Sequence, residues 1–328
     1  MKTLVTGANG FIGSAVVRAL LRSGDEVRVF VRPGSDVQNL EGLRVEIAPG
    51  DLQDFTSMRS ALKGCRRLFH VAALYSLWLP KPSEMYKTNV TGTRHLMEAA
   101  MEEGIERVVY TSTVGAVGIP IDGGWGNEST PLEWDDVFGH YKRSKYMAEK
   151  EVLGLVEKGL PAVVVNPSAP IGPRDVKPTP TGQIVVDFLK GRMWAFMETG
   201  LNLVDVEDVA EGHLLAAEKG RIGERYILGN KNMMLKEVLE LLSGITGGKA
   251  PSLKIPYKIV LPMAYLNTGL SNYITHRAPR IPLEGVKMAK RSMFFDSSKA
   301  VRELGFPQRS VEDALRRAVD WFQNNGYI

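Results

Sequence analysis

Tyr141 and Lys145 stand four residues apart in the run Tyr141-Lys142-Arg143-Ser144-Lys145. On a helix that spacing puts both side chains on one face. A phenol has a pKa near 10 and exchanges protons poorly at neutral pH, but a neighbouring ammonium stabilises the phenolate. Such a pair can pass a proton to or from an alcohol oxygen. Thr111-Ser112-Thr113 lies upstream, at the end of an apolar run, and supplies hydroxyls that could hold the same oxygen. A second constellation is Gly7-Ala8-Asn9-Gly10-Phe11-Ile12-Gly13. Gly7 permits a tight turn, Gly10 lets backbone amides approach a pyrophosphate, and Gly13 allows close helix–strand packing. The helix that opens there would turn its free N–H groups toward the phosphates.

These groups need elements to hold them. Thr3–Thr6 reads as a strand and Phe11–Arg22 as an amphipathic helix that stops at Gly24. Further strands are expected at 27–31, 45–48, 67–71, 107–111 and 162–165. Helices are expected at 56–63, 83–103 and 140–157. Repeated strand–helix units predict an α/β fold, a doubly wound parallel sheet of Rossmann type. Tyr141 and Lys145 then fall near the start of a helix, and Thr113 at the carboxyl edge of the sheet, where ligands bind in such folds. A long loop is expected from Gly115 to Val137. Five prolines fall between Pro167 and Pro180, and the rhythm loosens there. The reading is a dinucleotide-binding domain over 1–166 and a smaller C-terminal substrate-binding lobe over 167–328, with 224–228 returning to the sheet as a strand.

Arg32 ends the second strand, where the NAD-binding version of this fold carries a carboxylate for the ribose hydroxyls. A guanidinium suits a 2′-phosphate. The expected cofactor is therefore NADP(H), with NAD(H) still possible. Tyr75 and Trp78 follow the fourth strand and could stack on a ring substrate. His70, His95 and His213 read as structural, and Asp205 and Asp208 as helix caps rather than metal ligands. No metal site is expected.

The chain has 328 residues, 44% hydrophobic and 24% charged, with a formal charge of +4. That excludes disordered and fibrous classes. A single cysteine, Cys65, excludes an internal disulfide and fits a reducing compartment. The densest basic run is Arg66-Arg67, which speaks against a nucleic-acid or anionic-membrane surface. The N-terminal apolar stretch is too short for a signal peptide, and no run is long enough to span a bilayer. A cytoplasmic protein acting on a small molecule is expected.

The motifs together resemble the extended short-chain dehydrogenase/reductase family. The resemblance rests on Thr6–Gly13, Gly50-Asp51-Leu52, His70-Val71-Ala72-Ala73, Asn89-Val90-Thr91-Gly92-Thr93, Thr111-Ser112-Thr113, Tyr141–Lys145, Asn166-Pro167 and Asp296–Ala300, in order along nearly the whole chain. Within the family it is most similar to hopanoid-associated sugar epimerases and dihydroflavonol 4-reductases. The resemblance implies that Tyr141 is the general acid/base. Lys145 would bind the nicotinamide ribose and depress the tyrosine pKa, and Thr113 would hydrogen-bond the reacting oxygen. It places Gly7, Gly10, Phe11, Ile12 and Gly13 on the cofactor phosphates, Asp51 and Leu52 beside the adenine, and Ala72 and Ala73 along the cofactor. Asn89 would lie beneath it and Pro167 near the nicotinamide, leaving Asn166 and Ser168 toward substrate. It further implies a homodimer through a four-helix bundle of the helices at 83–103 and 140–157, with Met97, Met101, Met147 and Leu153 as contacts.

Three functions are compatible with this reading. The first is net ketone reduction at a secondary alcohol carbon, like a dihydroflavonol 4-reductase. The second is epimerisation of a sugar or nucleotide sugar through a transient ketone. The third is a catalytically silent NADP-sensing binding protein, which the retained Tyr141 and Lys145 argue against. An epimerase restores its cofactor every cycle and gains little from a phosphate-bearing reduced pool, so Arg32 favours reduction.

Overall fold

The computed structural model describes residues 1–120 and 123–328; Ile121 and Asp122, within the expected 115–137 loop, lie outside the described residues. The first half runs β1 (Lys2–Thr6), α1 (Phe11–Arg22), β2 (Glu26–Val31), β3 (Glu46–Pro49), α2 (Phe55–Leu62), β4 (Arg67–His70), α3 (Ser83–Tyr86), α4 (Thr93–Glu102), β5 (Arg107–Thr111), α5 (His140–Val156) and β6 (Ala162–Pro167). The second half adds β7 (Ala169–Ile171), α6 (Pro180–Leu189), β8 (Ala195–Phe196), β9 (Gly200–Asp205), α7 (Val206–Lys219), β10 (Arg225–Leu228), β11 (Lys231–Met234) and α8 (Leu235–Thr246). It ends with β12 (Leu253–Lys254), α9 (Tyr257–Leu270), α10 (Leu283–Met288), α11 (Ser298–Leu304) and α12 (Val311–Asn324).

Seven strands form one sheet in the order β3-β2-β1-β4-β5-β6-β10, with every pair parallel. Each strand must bury both faces, so β6 is apolar almost end to end and wholly buried. One face packs on α1 and α7 through Val16, Leu20, Val209 and Ala216. The other packs on α2, α4 and α5 through Met58, Leu96, Ala148 and Val152. Strand order reverses between β1 and β4, where Thr6 pairs with His70. That reversal opens a crevice at the carboxyl edge, the place where open α/β sheets bind ligands.

The second half is not confined to a separate lobe. α7, β10 and α11 join the first core through Val209, Tyr226, Leu228, Ala300 and Leu304. The strand expected near 224–228 does return, pairing parallel with β6. The remainder builds a lobe of β7, β9 and β11 covered by α6, α8 and α12. A further small cluster joins α9 to α10.

One expectation is refined and one corrected. The helix expected over 83–103 forms from Ser83 to Glu102, with a π-helical turn within it at Lys87–Gly92. A wide turn shifts the register of the side chains that follow it. Here it coincides with close packing, since a Cβ on Gly92 would lie 2.7 Å from the Leu52 carbonyl oxygen. Met97 is fully buried beneath the sheet and is not available to a partner subunit. Amphipathic α4 turns that position inward, whereas Met147 on α5 stays exposed.

Candidate active site

A cleft of ≈ 650 Å³ runs along the carboxyl edge of the sheet. One end is made by the β1–α1 turn. Gly7 adopts φ +67°, and a Cβ there would sit 2.6 Å from the Ala72 nitrogen on the β4 turn. A Cβ on Gly13 would meet the Gly7 carbonyl oxygen at 2.0 Å. Both positions therefore require glycine for the turn and for the seat of α1. The first N–H groups of α1 have no intrahelical partner, and Gly10, Phe11, Ile12 and Gly13 line the cleft. Arg32 lies exposed at this end beside Ser35 and Asp36. Asp51, Leu52, Ala72 and Ala73 continue the wall.

Thr113, Tyr141 and Lys145 line the middle of the same cleft. The Lys145 ammonium donates to the Thr111 carbonyl at 2.6 Å and lies 4.5 Å from the centre of the Tyr110 ring. Burial pulls its pKa down to about 7, opposed by Glu149. Burial also raises the Tyr141 phenol well above the ordinary tyrosine value. A buried phenol keeps its proton, which is the state needed to donate to a ketone oxygen. Thr113 caps a short 3₁₀ turn, its hydroxyl accepting from the Gly115 amide at 3.1 Å.

The residues taken from sequence divide into those that face the cleft and those that hold it. Pro167 and Ser168 line it, and Tyr75 stands edge-on to Tyr141 with ring centres 4.4 Å apart. Burial, with the Tyr141 oxygen next in weight, raises the Tyr75 phenol. Asn89 does not line the cleft. Its amide clasps both backbone groups of Leu74, at 2.7 and 3.0 Å, and donates to the Ser144 hydroxyl at 2.9 Å. It thereby ties the β4 loop to the helix that carries Tyr141. Asn166 likewise does not line the cleft. It donates to the Thr113 carbonyl at 3.0 Å and to Glu149 at 2.9 Å, so it fixes Thr113. Trp78 lies outside the cleft, and its indole N–H donates to Asn272 at 2.7 Å.

His70 is enclosed, bonded to Thr6 and Thr93 at 2.7 and 2.9 Å. Burial, with Lys145 second, drops its pKa to about 3. His213 is held by Thr111 and the Val209 carbonyl. Both are structural. Asp205 caps α7 as expected. Among the described residues no group of acids, histidines or cysteines has metal-ligand geometry.

Sequence reasoning missed five residues that face the cleft: Lys142, Asp175, Lys177, Met288 and Met293. The Lys142 stem crosses Gly115, where a Cβ would approach its Cγ to 3.1 Å, and its amine reaches the Met293 sulfur at 3.8 Å. Burial lowers this amine to about 8. Its place inside the Tyr–Lys motif was the available signal. Asp175 accepts from the Thr179 amide and hydroxyl through Oδ2 at 2.8 and 2.7 Å, while Oδ1 is buried without a partner. Burial raises it to about 6. Lys177 lines the same end, and Met288 and Met293 arrive from the far C-terminal region with no sequence signal.

The donor set fits a dinucleotide. An amide-lined glycine turn leads past Ala72 and Ala73 to the hydroxyl–phenol–amine group, and the Ser112 and Ser168 hydroxyls are buried without partners along it. The matching family model, the NAD dependent epimerase/dehydratase family, covers residues 3–229. A Synechocystis protein that carries the name "Putative dihydroflavonol 4-reductase" is 47% identical over 99% of this chain and 95% of its own. Sterol demethylase protein B of Methylococcus capsulatus is 40% identical over the full length of both chains. The crystal structure of gox2253 is 50% identical with a TM-score of 0.89, covering 99% of each chain. The turn, the cleft at the sheet's switch point and these likenesses agree, and the chain belongs to the NAD-dependent epimerase/dehydratase family.

Proposed function

We propose that the protein moves hydride at a secondary alcohol or ketone carbon, with net reduction as its direction and NADPH as its preferred cofactor. The observation that carries this is one cleft shared by the glycine turn, Thr113, Tyr141 and Lys145. When bound, a nicotinamide supplies the hydride; the chain supplies position and the proton. Thr113 and Tyr141 hold the substrate oxygen, and the phenol gives its proton to that oxygen as the carbonyl carbon is reduced. Lys145 stabilises the phenolate left behind. Arg32 beside Ser35 offers charge-assisted donors to a 2′-phosphate.

The substrate end supports an apolar, ring-bearing ketone. Tyr75, Val176, Leu201, Met288 and Met293 form its wall, with Lys142, Asp175 and Ser168 as polar points within it. The relatives named for a dihydroflavonol and a sterol support the same class. We further propose a homodimer through α4 and α5, with the exposed Met147 as one of its contacts. Light scattering at micromolar concentration tests this, and a monomer mass rejects it.

Turnover with a panel of cyclic ketones and nucleotide sugars tests the main reading. One NADPH consumed per product is the expected result. Product formed with no net change in nicotinamide absorbance would show epimerisation instead. Tighter binding of NADH than NADPH would reject the cofactor assignment.

A further inference from the structure

α9 buries one face and exposes another. Tyr257, Val260, Leu261 and Ala264 pack against α10 through Leu283 and Val286. On its other side Ile259, Met263, Leu266 and Leu270 recur at intervals of four, three and four residues, all exposed, Leu266 by 71%. That is the spacing of one helical face. The following turn extends the stripe with Tyr273, 84% exposed, and Ile274, 69% exposed. Scattered exposed apolar residues are ordinary, but a contiguous stripe of this kind marks an interaction surface.

The charge around the stripe is one-sided. Residues 247–293 contain eight lysines and arginines and a single acid, Glu284, a net +7 against +4 for the whole chain. Lys254 and Arg291 are paired with Glu198 and Asp136. Lys258, Arg277 and Arg280, all exposed, have no carboxylate partner among the described residues. Lys258 immediately precedes Ile259 on α9, and Arg277 and Arg280 follow the turn within six residues of Ile274. We propose that α9 and the turn at 271–275 form a docking surface for an anionic phospholipid bilayer, with the helix lying in the interface plane.

Two observations choose this occupant. A second copy seated on the same face would set net positive charge against net positive charge. An anionic headgroup layer attracts the same lysines and arginines while its acyl boundary takes Leu266 and Ile274. The 14-residue α9 is too short to span a bilayer, for which about 20 residues are needed. Among the described residues no helix is long and apolar enough to cross. The surface adjoins the substrate end of the cleft. α10, packed on α9, ends at the cleft-lining Met288, and Asn272 of the turn holds Trp78 of the β4 loop. An apolar substrate could then pass from the lipid to the cleft, a consequence that rests on the function proposed above; the docking itself does not.

The test is cosedimentation of the full chain with vesicles, read without turnover. Vesicles of phosphatidylcholine and phosphatidylglycerol in a two-to-one ratio should carry the protein down at low salt, and pure phosphatidylcholine should carry much less. Raising salt to roughly 0.5 M should release it, as screening shortens the reach of the charges. Leu266→Asp with Ile274→Asp should weaken partitioning by at least about tenfold. Lys258→Glu with Arg277→Glu should abolish the preference for the anionic vesicles. NADPH affinity and thermal midpoint should stay unchanged in both variants. Absence of sedimentation with either vesicle at low salt would overturn the proposal, as would equal binding to both. An oligomer that dissociates in Leu266→Asp, with no vesicle binding by the parent protein, would assign the face to a second copy and likewise overturn it.

Discussion

The two ends of the cleft are built on different principles. The cofactor end is mostly backbone. Seven consecutive residues, Gly7 to Gly13, make the turn and seat the helix, and two glycines there admit no side chain. The substrate end is mostly side chains, and they come from distant stretches: Tyr75 after β4, Lys142 in α5, Asp175 after β7, and Met288 and Met293 beyond α9. Recognition by backbone amides needs a contiguous segment in one conformation, so it leaves a motif. Recognition by convergent side chains needs only that the fold bring them together. Between the two ends stand Thr113, Tyr141 and Lys145, held by side chains that do not line the cleft, Asn89 and Asn166 among them.

The sharpest break of this comparison is at the middle of the cleft. Tyr141→Phe removes the proposed proton donor and leaves the glycine turn intact, so turnover should fall by about 10²-fold or more. NADPH affinity, measured by fluorescence, should stay within about twofold. Near-normal turnover would remove Tyr141 from its role.

At the cofactor end Gly13→Ala puts a methyl 2.0 Å from a carbonyl oxygen that cannot move without opening the turn. NADPH affinity should drop by more than about tenfold, with a lower thermal midpoint, because α1 must shift off β1. Unchanged binding would show that this end is more plastic than its backbone geometry implies.

Arg32→Asp tests the exposed edge of the same end. The wild type should prefer NADPH by about tenfold, or about 1.4 kcal/mol. The variant should erase or reverse that preference in paired titrations of the two cofactors. A preference that survives would move the phosphate contact elsewhere.

The remaining test belongs to the substrate end and reads stability rather than binding. Burial raises the Asp175 carboxyl to about 6 in the folded chain, from 3.8. The native state therefore holds more protons than the unfolded chain between those values, and stability should fall as pH rises through that window. The full shift corresponds to about 3 kcal/mol at most. Asp175→Asn should flatten the slope in urea unfolding measured at pH 4 and pH 6.5. An equal slope in both proteins would reject the assignment.

How much of this was legible in the sequence differs by level. The alternation of β-branched runs with 3.6-period stretches determined a doubly wound parallel sheet, because each pattern buries its apolar residues in only one kind of element. The strand at Arg225–Leu228 was legible for the same reason. The π turn at Lys87–Gly92, which coincides with the close approach of Gly92 to Leu52, was not. The inward turn of Met97 depended equally on which face of α4 met the sheet.

The same division runs through the site. By itself the sequence determined the glycine turn, the Tyr141–Lys145 pair and the nearby Thr113, because each is a short-range pattern whose geometry follows from one helix or one turn. Only the tertiary structure decided that Asn89 and Asn166 bond to the walls of the site without lining the cleft, and that Trp78 turns toward Asn272. It alone brought Lys142, Asp175 and Met293 to one cleft, and set the apolar side of α9 outward. Contacts between residues a hundred positions apart depend on packing of whole elements, and no local spacing encodes which of two faces an element will bury.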